Sequence, residues 1–381
     1  MRTSGKETFR AGPDLGLPFS TAVRAGDLVY ASGVLATDSS GRLVPGDVQA
    51  QTQRALDNLR ASFEAAGTGL ANAASINVYL TTPSDFAAMN EVYRTYWPND
   101  PPARTTVVTG LVAEGALIEV AGVAVRAGAQ RVVVHPPSWS RSPLPYSYGI
   151  RTGDTLFLAG LVARRGRDDA AVPADTAAQT RIVLENAGEV LRAAGMTHSD
   201  VVSARVYVTD AATFRDMNAA YRESFPAEPP ARATVQAGLM SPEYLVEITL
   251  VAVRDPSRRP FTTPRPDGGD ATPNPNLSSA VAAGGRLYLS GMLGDTDETR
   301  GDARAQARET FARIGRTLSA AGFGWGDVVD GLVYLTAAGD FPALNDVYRE
   351  VFKVDFPARA TVVTGLVAPE GLVEIMFVAS N

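Results

Sequence analysis

The spacing of apolar residues along this chain changes in a fixed order, and that order comes round three times. In the first round "GDLVYASGV" alternates with the period of a strand. "VQAQTQRALDNLRASFEAAG" then places Leu56, Leu59 and Phe63 at helical spacing and stops at Gly67, a residue suited to a left-handed cap. "SINVYLTT" is a second strand-like stretch. "SDFAAMNEVYRTYW" opens on Ser84, a helix-capping residue type, and aligns Phe86, Asn90, Tyr93 and Trp97 along one stripe. "ARTTVV" and "LIEVAGVAV" close the round as two strands separated by a short glycine-containing loop. The order predicts an α+β unit, a mixed sheet with two helices on one face.

The later rounds repeat the words as well as the spacing. "INVYLTTPSDFAAMNEVYRTYW" returns as "ARVYVTDAATFRDMNAAYRESF" and as "GLVYLTAAGDFPALNDVYREVF". "PPARTTVVTGL" returns as "PPARATVQAGL" and "FPARATVVTGL", with arginines at 104, 232 and 359. The offsets are 128 and 127 residues, too long for a solenoid repeat of about 20–50 and close to the usual domain size of about 100–150. Three tandem domains follow, at 1–127, 128–255 and 256–381. Residues 256–276 lie within a Pro- and Gly-rich stretch that reads as an exposed connection. The join near 126–145 is tighter, and its "RVVV" reads as the first strand of the second copy.

Composition narrows the function classes. The chain has 381 residues and no cysteine, which removes disulfides, thiolate nucleophiles and thiolate metal sites. Its 35 basic and 41 acidic residues give a net charge of −6, which offers no phosphate-binding surface. The opening "MRTSGKETFRAG" lacks an apolar core, and no apolar run reaches 18 residues. The expectation is a soluble cytoplasmic protein with no nucleic-acid or membrane partner. His135 and His198 are the two histidines, and neither has a carboxylate at a recognisable catalytic spacing.

Most positions shared by the three copies are apolar, Gly or Pro, and building the fold accounts for them. Three polar positions are not so easily absorbed. One is the arginine, at Arg104, Arg232 and Arg359. Another is a glutamate inside an apolar strand, at Glu119, Glu247 and Glu374, always 15 residues after the arginine. A buried carboxylate needs a partner or a raised pKa. If the two strands pair as a hairpin, Glu119 falls diagonally across from Arg104 on one face. Such a pair could simply stabilise the sheet. The third position is an asparagine on the apolar stripe of the second helix, at Asn90, Asn218 and Asn345, whose amide must find hydrogen bonds.

"FPARATVVTGLVAPEGLVEIMFVA", with "LPYSYGIRTGDTLFLAGLV" ahead of it in the second copy, closely resembles the RidA/YjgF-like family of reactive enamine/imine deaminases. The resemblance covers all three copies. It implies a fold like the bacterial trimeric chorismate mutase, with sites in the clefts between subunits, so that one chain acts as a monomeric pseudo-trimer. It also implies that the arginines grip the carboxylate of a 2-imino or keto acid, and that Glu119, Glu247 and Glu374 activate water against the C=N carbon. No metal or cofactor is implied.

The copies depart from the family pattern unequally. At its aromatic position the second copy keeps Tyr146, while the others have Phe19 and Leu277. At its serine, Ser32 and Ser290 remain, while the second copy has Ala159. Thr106, Thr234 and Thr361 stand two residues after the arginines. Tyr146, Ser32, Ser290 and the three asparagines are therefore expected to line substrate beside the arginines. A non-catalytic ligand-binding scaffold, or a chorismatase-like lyase on the same fold, is the alternative to hydrolysis.

Overall fold

The computed structural model describes residues 5–164 and 172–381. In the first copy the chain runs through the strand Leu28–Val34, the helix Val48–Ala65, the strand Ala73–Leu80, the helix Phe86–Tyr96, and the strands Ala103–Val108 and Ile118–Val125. The corresponding helices are Thr176–Ala193 and Phe214–Ser224, then Ala303–Ala320 and Phe341–Val351. Each long helix starts where sequence chemistry allows it. The carboxylates of Asp47, Asp175 and Asp302 accept from the N–H groups of Ala50, Ala178 and Ala305. Each is followed by a glycine with positive φ, at Gly67, Gly195 and Gly322. Ser84 does not cap the second helix. A 3-10 turn, Pro83–Asp85, precedes that helix, and Thr82 accepts the Ser84 N–H instead.

The expected hairpin between the arginine and glutamate strands does not form. Ala73–Leu80 lies between them, parallel to Ala103–Val108 and antiparallel to Ile118–Val125. The helix Phe86–Tyr96 accounts for the parallel pair, and the other edge of Ala103–Val108 pairs at Val108 with Gly238 of the next copy. A strand–helix–strand crossover returns the chain parallel to its first strand and beside it. Arg104 is opposite Ile76 in this ladder and Glu119 is opposite Tyr79. Ile76 and Tyr79 are three positions apart, so the two charged side chains leave opposite faces of one sheet.

Each copy packs its helices on one face, over a core such as Ile76, Val78, Leu80, Leu56, Leu59 and Phe63. The other faces meet one another. Tyr79, Tyr207 and Tyr334, with Val107, Val235 and Val362, form one core drawn from all three copies. The ends of the arginine strands lace the copies into a ring. Val108 exchanges backbone hydrogen bonds with Gly238 at 2.8 and 3.1 Å. Gln236 pairs with Gly365, and Val363 with Gly110. A Cβ on Gly238 would sit 3.0 Å from the Val108 Cβ, and one on Gly110 3.1 Å from the Val363 Cβ. The glycine of "TGL" and "AGL" is there for close approach across the seam.

The Pro- and Gly-rich stretch expected as a plain connection carries a strand, Arg259–Phe261, which pairs with Ala280–Ala283 at the edge of the third sheet. Lys6–Phe9 and Val132–Val134 occupy the same edge in the other copies. No helix among the described residues is long and apolar enough to cross a membrane.

Candidate active site between copies

Each arginine lies under the second helix of its own copy. The guanidinium carbons of Arg104, Arg232 and Arg359 sit 4.7, 4.6 and 4.6 Å from the ring centres of Tyr93, Tyr221 and Tyr348. All three side chains are buried. The aromatic ring screens part of the charge, yet donors stay unmatched. Among the described residues Nη1 of each arginine has no hydrogen-bond partner. Nitrogen donors on a buried, permanently charged group are costly to leave open, and a carboxylate matches their fork.

Each glutamate lies within electrostatic range of an arginine of the neighbouring copy, with no salt bridge between them among the described residues. Glu119 accepts the backbone N–H of Thr361 at 3.4 Å and feels Arg359. Glu247 accepts from the backbone of Thr106 and feels Arg104. Glu374 does the same with Thr234 and Arg232. The pairs are thus 104 with 247, 232 with 374 and 359 with 119, one for each join of the ring. Burial is the largest influence on all three carboxyls. It pushes Glu119 up to about 7 and Glu247 and Glu374 up to about 8, against the opposing pull of the arginine and the threonine N–H. Gly33, Gly160 and Gly291 make room for these carboxylates, because any Cβ there would overlap Oε1.

The remaining expected residues divide. Asn218 and Asn345 accept from Nη2 of Arg232 and Arg359 at 2.6 and 2.8 Å, so they position the arginine. Asn90 does not. Its amide nitrogen donates to the Phe86 carbonyl at 2.8 Å, and its oxygen has no partner among the described residues. Ser32 and Ser290 are also not placed as ligand contacts. Their hydroxyls donate to the carbonyls of Ser20 and Ser278 at 2.6 Å and accept the backbone N–H of Arg359 and Arg232. With the donor spent inside the protein, they pin one copy's arginine strand to the next copy. Ala159 cannot make that bond, but the Gly160 N–H still holds the Arg104 carbonyl at 3.0 Å.

Tyr146 lies beside Arg104, its ring 5.9 Å from the guanidinium. Arg104, Thr106, Tyr146 and Glu247 open together into a cavity of about 480 Å³ between the first two copies. Three of its aromatic walls, Trp139, Tyr148 and Tyr244, were not singled out from sequence. Their signal was available, because the other copies hold small residues at the positions of Tyr148 and Tyr244. His135 and His198 stay outside this cavity, each bonded to a backbone carbonyl, of Trp139 and Leu184. No cluster of three metal-ligating side chains occurs among the described residues.

Three copies of one α+β domain in a single chain, with arginine and glutamate facing each other across each join, define the class. The chain belongs to the family described as Endoribonuclease L-PSP, which matches residues 11–126, 140–254 and 270–381 and is the RidA/YjgF-like family that the repeated phrase resembles. It is 41% identical over 112 residues to Protein mmf2, mitochondrial, of Schizosaccharomyces pombe, covering 29% of this chain and 88% of that protein. It is 39% identical over 107 residues to a RutC family protein of Sulfurisphaera tokodaii, covering 28% and 86%. A chorismatase crystal structure aligns over 81% of this chain and 93% of its own, at 17% identity and a TM-score of 0.51. That likeness is one of fold.

Proposed function

We propose that the cleft between the first two copies hydrolyses reactive 2-imino acids, and the enamines in equilibrium with them, to 2-keto acids and ammonia. The observation that carries this reading is Arg104, whose buried Nη1 has no partner among the described residues and which lines the same cavity as Glu247 of the next copy. Arg104 takes the substrate carboxylate. Glu247 then lies where it can draw a proton from water as the water oxygen adds to the C=N carbon, while the nitrogen takes up a proton. The tetrahedral carbon carries hydroxyl and amine. Glu247 returns its proton to the amine, ammonia leaves, and the hydroxyl releases its proton to solvent as the C=O bond forms, which balances the proton the nitrogen took from solvent. A carboxyl pushed up to about 8 accepts and returns a proton near neutrality more readily than an ordinary glutamate. The family's description names an endoribonuclease. A net charge of −6 and a site set back in a cleft favour a small acid over RNA.

The test generates 2-imino acids in place with an amino-acid oxidase and follows keto-acid release. The unmodified chain should exceed the uncatalysed rate, and turnover should rise as pH climbs through about 8, where Glu247 ionises. Arg104→Lys keeps the charge but loses the planar fork, at about 1.5–3 kcal/mol for a charged hydrogen bond. That corresponds to about ten- to a hundredfold weaker keto-acid binding. Glu247→Gln should keep keto-acid binding and lose turnover. A chain that binds keto acids but never accelerates imine loss would instead be a binding scaffold.

A further inference from the structure

We infer that the cleft between copies one and two is built for a ring-bearing 2-imino or 2-keto acid, and that it takes one such molecule per chain while the other two clefts stay closed to it. The reaction rests on the hydrolase reading above, whereas the ring preference and the count of sites concern binding alone.

The three clefts can be compared position by position, since the chain supplies its own controls. Against Arg104 the second copy brings Tyr146, Tyr148 and Tyr244. The equivalent positions are Phe19, Thr21 and Ala116 against Arg359, and Leu277, Ser279 and Gly371 against Arg232. Trp139, from the segment joining the first two copies, adds a fourth aromatic wall to the same cavity. These rings brace one another. Tyr148 meets Tyr146 edge-on at 5.6 Å and Trp139 edge-on at 4.8 Å. The indole N–H of Trp139 is fixed to Glu189 at 2.6 Å. An aromatic corner held this way loses little freedom when a flat ring packs against it. A cavity of about 480 Å³ is more than the smallest imino acids fill and lies within the range of about 300–1,000 Å³ that encloses drug-sized ligands.

The arginines differ in the same direction. Arg232 and Arg359 each give an N–H to an asparagine of their own copy. At Arg104 that asparagine has turned to the Phe86 carbonyl. A carboxylate arriving at Arg232 or Arg359 must share the guanidinium or displace the amide, and it finds fewer aromatic walls for a side chain. The ring-binding walls and the arginine free of its asparagine fall in one cleft.

The experiment is calorimetric titration of the full chain with phenylpyruvate and with pyruvate. The expected result is one phenylpyruvate per chain, bound at least tenfold more tightly than pyruvate. Tyr244→Ala and Tyr146→Leu install residues that the other copies carry. Each should weaken phenylpyruvate at least fivefold, and Tyr244→Ala should leave pyruvate within twofold, with the melting temperature recorded to show that the variants fold. Equal affinity for the two acids, no phenylpyruvate binding, or three equivalent sites would overturn the inference. If a variant fails to fold, the ratio and count for the unmodified chain decide the matter. Phenylpyruvate bound once without any imine turnover would sink the hydrolase reading and leave this one standing. Turnover with no preference for the ring would do the reverse.

Discussion

A glutamate buried in an apolar strand holds its proton more firmly in the folded chain than in the unfolded one. Glu119, Glu247 and Glu374 are pushed up to about 7, 8 and 8, and Asp330, on the middle strand of the third copy, to about 7, in each case chiefly by burial. The folded state therefore binds more protons than the unfolded state from the ordinary carboxyl range upward. The stability these groups contribute is fully present below that range and is lost as pH rises towards 7–8. Denaturant unfolding across pH 4.5–8.5 should show stability falling over this interval. Glu374→Gln should flatten the fall, since the amide is neutral at every pH in the window. An unchanged slope would mean that this carboxyl is already ionised in the folded chain. The importance of these glutamates was legible because three copies retained a costly residue inside an apolar run. Their partner was not legible. A constant spacing of 15 residues points to an arginine of the same copy, whereas the true neighbour is an arginine of the adjacent copy, a relation that spacing cannot express.

At the scale of elements, strand and helix types followed from periodicity, but the order of strands needed one further rule. The run Ala73–Leu80, Phe86–Tyr96, Ala103–Val108 is a strand–helix–strand unit, and such units make parallel neighbours. Applying that rule would have put Ala73–Leu80 beside Ala103–Val108 and parallel to it, while the side taken by Ile118–Val125 had to come from the structure. The glycines of the repeated phrase were equally available and were read only as loop chemistry. Their place at the seam gives a prediction. Gly238→Val must push against Val108, where overpacking costs about 1–3 kcal/mol, and it should lower the melting temperature and loosen the cleft between the first two copies. Gly339→Ala, with nothing within 4 Å of the added carbon, should stay within about 0.5 kcal/mol. Equal effects from the two substitutions would mean that the seam does not hold the ring together.

For the whole molecule the question is why three copies were joined in one chain, and the centre of the ring offers an answer. The three inward tyrosines, Tyr79, Tyr207 and Tyr334, are alike, but two residues before them stand Asn77, Arg205 and Leu332. Arg205 shares its strand face with Tyr207. Its charge is felt by Tyr79 of the first copy, and by Tyr334 and Asp330 of the third. A single arginine here has a carboxyl and three phenols to answer it. Three copies of the second domain around one axis would converge three arginines in a region poor in water, with Ser203 where the third copy has Asp330. Like charges brought together in such a medium repel strongly. Fusion lets the copies diverge at the axis, and the divergence in turn commits each copy to its place in the ring. The chain should therefore behave in solution as one particle of 40.1 kDa by light scattering. Arg205→Leu, which matches the third copy, should keep that mass while removing the electrostatic support given to ionised Asp330, so that the carboxyl protonates at a higher pH than in the unmodified chain. A stable particle near three times the chain mass, built by like copies pairing between chains, would show that the ring does not close within one polypeptide.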